Sequence, residues 1–125
     1  MDTLKILTIV LPLTLCMTLP SFAESVGLRW DANDPAPEGY RVFVREDGQS
    51  YNYDNPVVCV GLETGDIPSE ITTVTVAGLV QGVTYHFIVR AFEGELESAD
   101  SEEVSYTPPI QLTNPKNIKL EEIAL

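Results

Sequence analysis

The sequence predicts an all-β, two-sheet sandwich, and three observations carry that prediction. The first is the stretch Val74 to Ala91, VTVAGLVQGVTYHFIVRA, which sets Leu79, Gly82 and Tyr85 at the spacing of a strand end, a reversal and a strand start. A Tyr just past such a corner buries its ring between two sheets while its hydroxyl bonds back to the turn backbone. The second is the alternation that follows, in which Tyr85, Phe87, Val89 and Ala91 interleave with His86, Ile88 and Arg90 as in a half-buried strand. The third is punctuation. Six apolar or alternating runs are separated by Gly, Pro, Asn and Asp clusters, with no long helical period and no internal repeat.

Residues 1–23 read as a secretory leader rather than as part of the fold. Lys5 precedes an apolar run from Ile6 to Leu19, and Ser21 and Ala23 supply small residues for signal peptidase ahead of Glu24. The run is shorter than the roughly 20 residues of a membrane-spanning helix, and Pro12 interrupts it. A secreted, periplasmic or extracellular protein without a stable membrane span is therefore expected. Leu13-Thr14-Leu15-Cys16 departs from a lipobox, because Leu15 is too bulky for the position before the Cys. Cleavage after Ala23 leaves a chain of about one domain, with Cys59 as its sole thiol and no internal disulfide.

The six strands follow in order. Val26 to Trp30 ends at the Asn33-Asp34-Pro35 turn, and Tyr40 to Arg45 ends at Asp47-Gly48. Val57 to Val60 lies between Asn55-Pro56 and the Gly61 to Pro68 loop. Cys59 within it reads as a small buried hydrophobe, with an intermolecular disulfide as the sharper alternative. Thr72 to Val76 runs to the Gly78 to Gly82 turn, Tyr85 to Ala91 to the Gly94 to Asp100 loop, and Glu103 to Thr107 closes the series.

Trp30 in Leu-Arg-Trp, Gly39-Tyr40 ahead of Arg-Val-Phe-Val, and the ordered set Leu79, Gly82 and Tyr85 together resemble the fibronectin type III family from Val26 to Thr107. The resemblance implies an immunoglobulin-like sandwich with Trp30, Tyr40, Leu79 and Tyr85 in its core, and a surface that binds partners without intrinsic chemistry. It divides the chain into leader (1–23), domain (24–107) and a Pro-led tail (108–125). Ser101 to Pro109, SEEVSYTPP, looks like the family's last strand and exit.

One part of the family pattern is missing or shortened, the first strand, and its loss leaves an open sheet edge. The tail run Pro115-Lys116-Asn117-Ile118-Lys119-Leu120 looks like such a strand. Ile118 and Leu120 are expected to pair into the vacant edge, on their own molecule or on a neighbour, and pairing in trans builds dimers or fibres. The competing readings of the tail are a short helix from Asn114-Pro115 and an unstructured end.

A net charge of −12 repels phosphates and anionic lipid, which sets nucleic acid aside. Asp31-Ala32-Asn33-Asp34 and the carboxylates Glu93, Glu95, Glu97, Asp100, Glu102 and Glu103 lack the order of a calcium loop, and Pro35 and Pro37 stiffen the first of these segments. One His and one thiol after cleavage serve zinc poorly, so no cofactor or metal is expected. His86, the sole imidazole, has no nucleophile suggested beside it. The reading is therefore not an enzyme.

Alternation that turns Tyr40, Val42 and Val44 inward turns Arg41, Phe43 and Arg45 outward, and it likewise exposes His86, Ile88 and Arg90. Arg41, Phe43, Arg45, Ile88 and Arg90 then share one face of the kind interfaces favour, unless carboxylates such as Glu103 pair with the arginines. Tyr51 and Tyr53 offer rings to a sugar or peptide, or one of them packs over the sandwich edge. The Gly94 to Ser101 segment, GELESADS, has no Arg-Gly-Asp. The sequence thus points to an exported, non-catalytic module for a protein or carbohydrate partner, with a tail-linked structural subunit as the alternative.

Overall fold

The structure is a computed structural model and describes residues 23–121. The stretch read as a leader apart from Ala23, Cys16 within it, and residues 122–125 lie outside that range. Seven strands are present among the described residues: β1 Ala23–Arg29, β2 Gly39–Glu46, β3 Ile67–Pro68, β4 Thr73–Val80, β5 Tyr85–Glu93, β6 Leu96–Glu97 and β7 Val104–Tyr106. β1 and β4 form one antiparallel sheet, and the second sheet runs β3-β2-β5-β6 with β7 on β5 as well. The all-β, immunoglobulin-like sandwich read from the sequence is the architecture found.

Between the sheets lie Tyr40, Val42, Cys59, Ile67, Val74, Val76, Leu79, Tyr85 and Phe87, with Trp30 packed against them. The corner forms as its residue spacing requires. Gly82 turns the chain at φ 82°, and the Val80 N–H donates to the Tyr85 hydroxyl at 2.9 Å. Removing that acceptor with Tyr85→Phe orphans a backbone donor at the turn and is expected to cost about 1–3 kcal/mol in urea unfolding. An unmoved midpoint would show that water replaces the bond without loss.

Four local features differ from the sequence reading. β4 continues past Val76, because Ala77-Gly78 is a bulge opposite Ser25 rather than a turn, with Gly78 at φ 82° supplying the left-handed residue. Val57 to Val60 joins no ladder. It crosses from sheet to sheet, the Val57 N–H bonding Val42 O at 2.8 Å and the Val60 N–H bonding Thr75 O at 2.9 Å. An extended run that changes partner midway keeps the apolar look of a strand without forming one. Cys59 on this crossover is buried and free, with burial pushing its thiol up. That is the small-hydrophobe reading, and a disulfide to another chain would need the crossover to open. β3 and β6 are short pairings without a legible pattern.

Between β6 and β7 the edge of β5 is held by backbone and side chain together, the Ser98 N–H bonding Ala91 O at 2.8 Å and the Ser101 N–H bonding Val89 O at 3.1 Å. Ser98 Oγ accepts the Ala91 N–H and Ser101 Oγ accepts the Val89 N–H, each at 2.9 Å, so hydroxyls stand where a strand's carbonyls would be.

Of the two pairings expected of the tail, on its own molecule or on a neighbour, the described residues show none on its own molecule. Pro108 is buried and its carbonyl accepts the Gly82 N–H at 2.8 Å, while the Gln111 N–H bonds Gln81 Oε1 at 3.0 Å. Beyond that clasp the described tail forms neither strand nor helix, and Ile118 and Leu120 are 90% and 101% exposed.

Candidate functional site

The outer face of the β2–β5 pair carries the residues singled out by alternation, in direct cross-strand rows: Arg41 opposite Arg90, Phe43 opposite Ile88, Arg45 opposite His86. Phe43 and Ile88 do face outward, yet they are only 1% and 2% exposed, so the expectation of two exposed hot-spot residues is corrected. The loop after β2 folds back over them. Gly48 makes the reversal at φ 88°, the Asp47 N–H bonds Thr84 O at 2.9 Å, and Tyr53 lies edge-on to Phe43 at 5.3 Å between ring centroids.

The arginines lie in a closed lattice. Like charges directly opposite one another repel across a ladder, and Glu97 resolves this by accepting from both Arg41 (2.8 Å) and Arg90 (2.9 Å). Asp66 takes a second bond from Arg41 at 2.7 Å, and Asp100 a second from Arg90 at 2.8 Å. Arg45 pairs with Glu103 at 3.1 Å, and His86 sits 2.8 Å from Asp47 and 3.6 Å from Glu103. Each guanidinium also stacks on a ring: Arg41 on Phe92 at 3.9 Å, Arg90 on Tyr53 at 3.6 Å, Arg45 on Tyr51 at 5.3 Å. The tyrosine hydroxyls close the loop by bonding Glu103 (Tyr51, 2.7 Å) and Asp100 (Tyr53, 3.0 Å). Much of the chain's acidity on this side is counter-charge.

Burial opposes ionisation of Glu97, but the hydrogen bonds from Arg41 and Arg90 outweigh it and hold the carboxyl below the ordinary range. The Tyr51 hydroxyl, and after it Arg45, hold Glu103 down against burial. Burial, reinforced by Glu103, drives the Tyr51 phenol upward. A carboxyl depressed in the folded state contributes stability above its unfolded value and loses it as pH falls through the folded one. Melting temperature is therefore expected to drop below about pH 4, and Glu97→Gln to flatten that drop. Identical acid slopes for the two proteins would show that the bridge contributes nothing.

A second feature lies on the other sheet. The Trp30 N–H bonds Thr72 O at 3.0 Å. By the two-residue repeat of the ladder, Leu28 also faces β4, whereas the backbone groups of Gly27 and Arg29 face the opposite edge. Among the described residues no strand pairs with that edge. Val26, Leu28 and Trp30 turn inward but stay half-buried, and Val104 across the opening is 50% exposed.

Two clefts that share Trp30, Val89 and Ser101 run along this opening, of about 180 and 210 Å³. Both fall below the roughly 300–1,000 Å³ of small-molecule sites, so they suit side chains better than a metabolite. Inside, the Trp30 indole N–H is buried and meets no acceptor among the described residues. This groove lies beside the β1 edge, where the family's first strand would run, and no described strand fills it. No pattern in the sequence marks the indole N–H as lacking an acceptor among the described residues.

No curated protein matches the chain. The family model for the fibronectin type III domain matches residues 15–107, starting inside the stretch read as a leader. Domains of this family generally act as non-catalytic binding or scaffold modules. With the corner, the two sheets and a match across most of its length, the chain belongs to the fibronectin type III domain family.

Proposed function

We propose that the protein is an exported, non-catalytic interaction module that takes up an extended protein segment as an added strand at the edge of β1, with which no described strand pairs. One observation carries this reading: outward backbone groups at Gly27 and Arg29 border a groove that holds a buried indole N–H with no acceptor among the described residues. An extended peptide meets all three demands together, since its backbone pairs with the edge, its alternate side chains fill the clefts, and a carbonyl reaches the indole. The arginine face is less available, because its guanidiniums already hold carboxylates and rings.

The test is selection of displayed ten-residue peptides on the chain, counter-selected on Gly27→Pro, which removes an edge donor and leaves the β4 ladder intact. Enriched peptides should alternate apolar residues and shift the emission of Trp30, the only tryptophan of the chain. Selection that cannot separate the two proteins would refute the edge. A second reading keeps the tyrosines: Tyr53 is 39% exposed, with Tyr51 tilted against it at 5.9 Å, a ring pair on which a glycan would stack. Glycan binding lost in Tyr53→Ala but intact in Gly27→Pro would favour it.

A further inference from the structure

We infer that the occupant of the β1 edge is the tail run Lys116–Leu120 of a second copy of this chain, an inference that rests on the open-edge reading above. The edge has no described strand beside it, and the tail beyond Gln111 joins no described strand. Ile118 and Leu120 alternate as groove-filling residues do, and both stand in solvent. Charge fits as well. Glu24 to Thr107 carries sixteen carboxylates against four arginines, whereas the docking run Lys116–Leu120 carries two lysines and no acidic residue, with Glu121 and Glu122 following it. Asp31 and Glu102 outnumber Arg29 among the charged residues lining the groove, so a strand carrying lysines meets less repulsion there than an acidic segment would.

Polarity makes the donor a second copy. Pro108 and Gln111 clasp the tail to the turn at Gln81–Gly82, beside the end of β4 where Val80 pairs with Ala23. From there a chain's own tail can run along β1 only in the parallel sense, the less stable pairing. A neighbour's tail enters from the far end and pairs antiparallel. Asn117, at φ 56° in the undocked tail, must swing to the extended region, a change Asn makes easily. Reciprocal exchange closes a dimer, and one-way donation makes open chains.

The test uses the exported product of the full chain, with light scattering over a concentration series. The wild type should gain mass in whole multiples of the protomer. Ile118→Asp with Leu120→Asp should abolish this at an unchanged melting temperature, since both side chains are already in solvent. Gly27→Pro and Val104→Arg, altering the edge and the half-exposed groove wall, should abolish it too. A synthetic peptide of residues 113–122 should blue-shift Trp30 emission in the double Asp variant and leave Gly27→Pro unmoved.

A wild type that stays monomeric, with Trp30 indifferent to the peptide, overturns the tail as occupant while peptide selection still decides the edge. Association lost with the Asp variant but kept by both edge variants overturns the docking site as well. Slow hydrogen exchange at Gly27 and Arg29 in a monomer also overturns the inference, because the edge is then covered from within.

Discussion

Phe43→Ala is expected to lower stability by about 3–5 kcal/mol, the range for truncating a buried aromatic. The ring lies outside the sandwich core, on the outer face of β2, yet it is almost fully covered. Ile88 flanks it across the ladder, Tyr53 packs edge-on at 5.3 Å, and Arg90 lies over it at 5.9 Å. Deleting it leaves a void beneath a loop held mainly by side-chain contacts. The loop should loosen with it, and amide exchange in the Tyr51 to Asp54 segment should quicken. Urea unfolding checks the first effect and hydrogen exchange the second. A loss under about 1 kcal/mol, as for an exposed residue, would mean that the loop does not cover the face in solution. The result also governs binding assays: reduced capture by Phe43→Ala would report a disturbed fold before it reported a contact.

Gly39→Ala is expected to cost about 3 kcal/mol, at the upper end of overpacking penalties. Gly39 opens β2 with an ordinary backbone angle, so what it supplies is space. A methyl there would run into the carbonyl oxygen of Ile67 and approach the Phe92 ring to 2.8 Å. The carbonyl belongs to the backbone of β3, whose pairing with Gly39 and Tyr40 would have to shift, and the ring lies under Arg41. Neither neighbour yields cheaply. Gly27→Ala is the control, since its methyl would meet only Val74 O at 3.9 Å, and its melting curve should match the wild type. Equal curves for both variants would show that β3 does not press on β2.

The sequence by itself determined what depends on neighbours along the chain. Two-residue alternation placed β1, β2, β4, β5 and β7 to within a few residues, and the Leu79, Gly82 and Tyr85 spacing specified a corner that forms as expected. Alternation states which side of a strand a residue takes and is silent about what lies above it. Phe43 and Ile88 were therefore legible as outward but not as buried, because their cover comes from a loop whose path no local pattern encodes. Glu97 reads as one acid among many in a turn-rich stretch, and only the arrival of β6 beside β5 makes it the bridge between two opposed arginines. Val57 to Val60 has a strand's composition, and the separation of the two sheets alone makes it a crossover. Direction along a strand is a property of the chain; burial, pairing and charge balance arise where distant segments meet.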